Sequence, residues 1–166
     1  QQVSSAASDV YKRQFYDSWA DYEKMASGKG ARNSNDSNFD SQKGLVTVEI
    51  GCVPERMMYN KTKFTVKAGA PVKLVFSNPD ATPHNLVIGK PSSVEELGMA
   101  GNEMAKDPNG YKRGFIPKSD KILHHSKLLE PNTSGTMRFH APKTPGVYPY
   151  VCTFPGHWII MKGEMV

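Results

Sequence analysis

Cys152-Thr153-Phe154-Pro155-Gly156-His157-Trp158-Ile159-Ile160-Met161 is the stretch whose reading decides the fold. It holds one thiol, one imidazole and one thioether within ten residues. The residues before it, 147–151, read as a strand that ends at the Cys. Pro155-Gly156 is a turn signal, and strand character resumes near Met161. A tight loop between two strands can aim Cys152, His157 and Met161 inward at one point.

Upstream, short β segments repeat. Leu45, Val46, Val48 and Ile50 alternate with polar residues, as do Phe64, Val66 and Ala68. Residues 72–77 and 84–88 make two further runs, separated by the turn Asn78-Pro79-Asp80. After Pro117 the rhythm returns over 121–129, 136–140, 147–153 and 159 onward. One interruption is helical: Ser92-Ser93-Val94-Glu95-Glu96 carries a capping-box start, and the helix is expected to run to about Lys106 before Asp107-Pro108-Asn109-Gly110. Seven or eight short strands and one inserted helix predict an all-β, antiparallel Greek-key β-sandwich. Tyr148-Pro149-Tyr150 sets a condition on it. Pro149 has no N–H, so it must sit at an edge or at an unpaired position.

The sandwich is expected over residues 44–166. Residues 1–14 read as a disordered tail that need not be native to the domain. Residues 15–26 place Phe15, Trp19, Tyr22 and Met25 on one face of a short helix. Residues 27–43 are rich in Gly, Ser and Asn and read as a flexible linker. No basic stretch followed by an apolar run opens the chain. It does not begin with Met, which leaves room for an upstream signal or domain.

The donor set narrows the chemistry. A thiolate with imidazoles and a weak thioether suits the trigonal His2Cys site of electron-transfer copper, with a long axial Met. Structural zinc prefers four Cys or His ligands and does not use Met. A second imidazole must come from outside the loop. His84 leads, because it stands at the mouth of a strand just after Asp80-Ala81-Thr82-Pro83. His124, His125 and His140 compete and read as structural or surface residues. Met57, Met58, Met99, Met104 and Met165 read as packing. A Cys52–Cys152 disulfide is arithmetically possible but would consume the thiolate.

The run CTFPGH, then three residues, Met and Lys-Gly resembles the ligand loop of azurin and auracyanin, blue (type 1) copper proteins of the cupredoxin family. His84-Asn85, Gly98-Met99-Ala100, Pro117-Lys118-Ser119-Asp120 and His125-Ser126-Lys127-Leu128 extend the resemblance over residues 44–166. It implies one copper ion with equatorial ligands His84, Cys152 and His157, axial Met161, and a distant contact from the Pro83 carbonyl. It further implies that Asn85 braces the loop through Thr153. The N–H groups of Asn85 and Phe154 would then hydrogen-bond the Cys152 sulfur and tune the potential. In one respect the chain departs from azurins. Their remote disulfide is absent, and Cys52 is expected to be a buried or half-buried free thiol.

The implied function is a one-electron carrier cycling Cu(I)/Cu(II), not an enzyme. It would be a monomeric, periplasmic or otherwise extracytoplasmic domain docking briefly to a redox protein, such as a c-type cytochrome, a dehydrogenase or an oxidase. His157, Trp158, Pro155 and Pro83 would form its apolar exit surface. A second reading makes the chain the tethered electron-transfer domain of a larger oxidoreductase. A copper enzyme would want His-x-His pairs or further metal sites, and a copper-delivery protein would not enclose its metal. The net charge of +5 is scattered, with no basic stripe interleaved with aromatics for nucleic acid. No run of 18 apolar residues spans a membrane.

Overall fold

The computed structural model describes residues 34–166. The expected helix at 15–26 and the tail at 1–14 lie outside them. Nine strands follow a short helix α1 (Ser34–Asp40): β1 (Val46–Val53), β2 (Met58–Tyr59), β3 (Lys63–Phe64), β4 (Pro71–Asn78), β5 (Val87–Gly89), β6 (Ile122–His125), β7 (Thr133–His140), β8 (Tyr148–Val151) and β9 (Lys162–Met165). Helix α2 (Val94–Glu103), with a 3-10 turn at Met104–Lys106, separates β5 from β6. The strands form two sheets, ordered β2-β1-β4-β7 and β3-β9-β8-β5-β6. This is the β-sandwich with one inserted helix that the alternation predicts.

The sheets are mixed rather than purely antiparallel. β1 pairs parallel to β4 and β3 parallel to β9, while the other pairs are antiparallel. Parallel neighbours need a crossover between them, and the chain uses β2 and β3 for it, leaving one sheet for the other. The second expected strand, 64–68, shortens to Lys63–Phe64.

Period-two patterning builds the core. β1 turns Val48, Ile50 and Cys52 inward, β4 contributes Val72, Leu74 and Phe76, and β7 contributes Met137 and Phe139. From the facing sheet come Leu86, Ile88, Tyr150 and Cys152. Leu74, Leu86 and Ile88 are wholly buried, each stabilising the fold by roughly 1.5–3 kcal/mol. The residues between them, Val87 and Val151, point out of the other face and meet Leu97 of α2. The helix therefore covers the outside of the sheet that carries Cys152. Cys52 is a buried free thiol, as is Cys152.

β8 is an inner strand, yet it accommodates Pro149. The Cys152 N–H donates to the Met161 carbonyl across to β9, so alternation turns the Pro149 nitrogen away from β9. On that side the pairing with β5 ends at Tyr150, and no donor is missed.

Two local expectations are corrected. Ser93 precedes α2 but makes no side-chain cap; its hydroxyl donates backward to the Lys90 carbonyl at 2.6 Å. The flexible linker expected over 27–43 is, at its described end, the helix α1. Asp40 docks this helix: its carboxylate accepts from Arg138 Nε at 2.9 Å, from Arg138 Nη2 at 3.0 Å and from Lys73 Nζ at 2.6 Å. Tertiary ion pairing supplies the order that composition alone does not promise.

Candidate metal centre

Three loops meet at one end of the sandwich. The first, between β4 and β5, is shaped by Asn78-Pro79-Asp80. Asn78 Oδ1 accepts the Asp80 N–H at 3.1 Å, closing an Asx-turn. Its amide donates to the Thr82 and Leu129 carbonyls, both at 2.9 Å. His84 then pairs its backbone with Leu129, giving and receiving one hydrogen bond. The His84 ring is fully buried.

The second loop runs from Cys152 to Met161. His157 N–H donates to the Phe154 carbonyl at 3.0 Å, and Gly156 between them has φ +86°. Proline followed by a residue at positive φ is the type II turn, and glycine takes that conformation without strain. A helix-like turn follows, with Met161 N–H on the His157 carbonyl at 2.9 Å, and Cys152 N–H on the Met161 carbonyl closes the loop at 3.0 Å. Cys152 and Met161 are fully buried and His157 is 7% exposed. The His157 ring stacks on Phe154, with centroids 4.5 Å apart.

The third loop, between α2 and β6, brings in Gly114 and Phe115. Asn85 Nδ2 donates to the Gly114 carbonyl at 2.8 Å and to Thr153 Oγ1 at 2.9 Å. Asn85 Oδ1 accepts the Thr153 N–H at 2.8 Å, and the Thr153 hydroxyl donates to the Phe115 carbonyl at 2.7 Å. Phe115 has φ +53°, a strained state for a non-glycine residue. Edge-to-face contacts with Tyr111 and Phe154 hold it there, together with the Thr153 hydroxyl.

The result is a triangle of donor atoms. Cys152 Sγ lies 3.9 Å from His84 Nδ1 and 3.6 Å from His157 Nδ1, and the two nitrogens are 3.2 Å apart. The point equidistant from all three lies about 2.1 Å from each. Imidazole and thiolate bonds to a first-row divalent ion are roughly 2.0–2.3 Å long, so the triangle is of a size that could hold one ion.

Burial sets the protonation of these donors. Burial pushes the Cys152 thiol up to about 12, opposed by hydrogen bonds from the N–H groups of Asn85 and Phe154. Burial, aided by the neighbouring His84, brings His157 down to about 4. A bound cation reverses the thiol's preference and deprotonates it. The other histidines sit elsewhere: His124 stacks on Phe139, His125 Nδ1 meets the Ser126 carbonyl, and His140 Nε2 meets Gln42 Oε1.

Residues 46–166 match the family described as copper binding proteins, plastocyanin/azurin family. The chain belongs to that family. It is 33% identical over 144 residues to Auracyanin-A of Chloroflexus aurantiacus, covering 85% of this chain and 86% of that protein. The solved structure of auracyanin A, a "blue" copper protein from Chloroflexus aurantiacus, superposes with a TM-score of 0.65 at 34% identity, covering 74% of this chain and 98% of that one. Dithionite-reduced auracyanin from Roseiflexus castenholzii gives 0.63 at 34% identity, over 72% and 94% of the two chains. The cofactor of this plastocyanin/azurin-family chain is one copper ion, and the soft and borderline donors of the triangle suit it.

The structure brings together His84, Cys152 and His157 within 4.8 Å of one another, with Asn85, Thr153 and Phe154 packed behind them. Pro83, Pro155 and Trp158 are half-buried at the same end. Two features escape the sequence reading. Ile159 and Ile160 are 61% and 56% exposed; the strand expected from 159 onward begins only at Lys162, and the pair lies in the turn before it. Asp80 is buried, and its Oδ2 meets His84 Nε2 at 2.8 Å. Burial alone would raise its carboxyl, but the hydrogen bonds from His84 and from the N–H groups of Glu55 and Ala81 pull it below the usual range.

Proposed function

We propose that this protein is a mobile carrier of single electrons, with copper held by Nδ1 of His84, Sγ of Cys152 and Nδ1 of His157. Met161 is the axial ligand, and the Pro83 carbonyl is a further distant contact. The carrying observation is the donor triangle, whose size matches one ion before any ion is added. Copper supplies a Cu(I)/Cu(II) couple. The chain supplies rigidity: Asn85 ties His84's strand to Cys152's loop, the Phe154 ring steadies His157, and burial keeps water out. A site held this firmly changes little between oxidation states, which keeps reorganisation small. The N–H groups of Asn85 and Phe154 draw charge from the Cys152 sulfur and so raise the potential.

Electrons leave through His157, ringed by Trp158, Pro155 and Pro83, with Ile159 and Ile160 enlarging the apolar rim. Such a rim suits brief docking to a redox protein, such as a c-type cytochrome, a dehydrogenase or an oxidase. The domain works as a monomer outside the cytoplasm, in the periplasm or its equivalent. No described helix is long and apolar enough to cross a membrane.

The tethered-domain reading is favoured by α1. Asp40 docks on Lys73 and Arg138, which pair with each other near one end of β4 and β7, whereas Asn78 and Thr133 pair at the end nearest His84. A tether leaving from α1 would hold the copper end free.

The test is a visible spectrum of the copper-loaded protein before and after Cys152→Ser, with copper counted per chain. An intense blue thiolate-to-copper band, lost in the variant, with one copper per chain is expected. A colourless wild type, or a variant that keeps the band, would overturn the ligand set. More than one copper per chain would favour an enzyme.

A further inference from the structure

Asp80 stands four residues before His84, and its carboxylate reaches the far side of the ligand ring. His84 turns Nδ1 toward Cys152 and His157, so a metal bound there leaves Nε2 to carry the ring proton. That nitrogen is 2.8 Å from Asp80 Oδ2. The carboxylate is itself held: Oδ1 accepts the Glu55 N–H at 3.1 Å and the Ala81 N–H at 2.8 Å, and the Asp80 N–H donates to Asn78 Oδ1. Asp80 is 5% exposed and His84 wholly buried, so water screens this charge little. The other ligand imidazole is steadied differently, by stacking on Phe154.

We infer that Asp80 is a positioning residue for the copper, orienting the His84 ring through Nε2 and biasing the site toward Cu(II) with its negative charge. This rests on the ligand set proposed above. The physical reason is general. A carboxylate behind a ligating imidazole fixes its tautomer and orientation and makes the ring a stronger donor, and removing such a partner costs about 10–100-fold in metal affinity. Added negative charge favours the more highly charged metal state. The turn at Asn78 and the anchor from the β1–β2 connection therefore act on the copper through one carboxylate.

The experiment compares wild type with Asp80→Asn, both copper-loaded, by redox titration, metal-release kinetics and thermal melting. Expected is a blue variant whose equilibrium is shifted roughly tenfold toward Cu(I), about 59 mV for one electron, and which releases copper at least tenfold faster. A role confined to loop structure would lower Tm and leave the potential unmoved. An unmoved potential with unchanged copper retention overturns the inference while the blue band sustains the ligand set. A colourless wild type overturns both. Should Asp80→Asn fail to fold, the 15N-labelled wild type in its Cu(I) form decides. A deshielded His84 Nε2–H, protected from exchange, is expected, and a proton there exchanging freely with water overturns the inference.

Discussion

Asn85 and Thr153 hold each other at two points, the Asn85 Oδ1 receiving the Thr153 N–H at 2.8 Å while its Nδ2 donates to the Thr153 hydroxyl at 2.9 Å. Both are fully buried, and each directly adjoins a proposed ligand, His84 or Cys152. Asn85→Ala would strand the Thr153 N–H and the Gly114 carbonyl inside the protein, a loss of about 3 kcal/mol and roughly 10 °C in Tm. Thr153→Val should cost less. A double-mutant cycle on thermal or urea unfolding should return a coupling of about 1 kcal/mol or more; additivity would mean the pair does not act as a brace.

Helix α2 is pressed against the ligand loop where it has no side chain. A Cβ on Gly101 would lie 2.3 Å from the Thr153 carbonyl oxygen, and one on Gly98 would lie 2.2 Å from the Trp158 ring. Asn102 Oδ1 also accepts the Gly156 N–H at 2.8 Å. In a free helix Gly→Ala stabilises by about 1 kcal/mol. Here Gly101→Ala should destabilise by about 1–3 kcal/mol and broaden the copper band, as measured by melting and by the visible spectrum. A stabilised Gly101→Ala variant would show that the helix does not clamp the loop.

Metal uptake should release a proton. The Cys152 thiol, pushed up to about 12, is protonated at pH 7, and His157, brought down to about 4, is already neutral. Zn(II) binding, used as a redox-silent probe, is therefore expected to release the Cys152 proton at pH 7, and its affinity to fall on acidification. Calorimetry in two buffers of different ionisation enthalpy reads the proton count. A count of zero would mean the thiolate pre-exists. Saturating the site at a thousandfold excess over Kd should stabilise the fold by about 4 kcal/mol.

Docking of α1 should depend on acid. Hydrogen bonds from Arg138 and Lys73 hold the Asp40 carboxyl well below the usual carboxylate range. A carboxyl depressed in the folded state adds stability above its unfolded pKa of roughly 3.9 and loses it as pH falls toward the folded value. The Tm gap between wild type and Asp40→Asn is expected to be steady from pH 5 to 8 and to narrow progressively as pH falls below about 4. A gap that does not narrow at all between pH 5 and pH 2 would assign the docking to the Phe39–His140 contact instead.

Much of the architecture is legible in the sequence because it is local. The alternation in 72–77 dictates which residues of β4 face inward, and Pro155-Gly156 dictates the turn that returns His157 toward Cys152. Lys63–Phe64 and α1 were not legible in this way. Strand length at 63–68 depends on the neighbouring strand it meets, and α1 is ordered by charges on β4 and β7 rather than by its own Ser- and Asn-rich composition.

The sequence by itself determined the donor types, the loop that spaces three of them and the β-rich frame, since turn chemistry and period-two burial act over a few residues. Only the tertiary structure decided which histidine outside the loop joins Cys152 and His157. His84 meets them because Val87–Gly89 pairs with Tyr148–Val151 and brings the two loops to one end. The same pairing buries Asp80 behind His84 and Asn85 beside Thr153. Contacts between residues 68 or more positions apart depend on strand register and on the shared core, which no local stretch of sequence encodes.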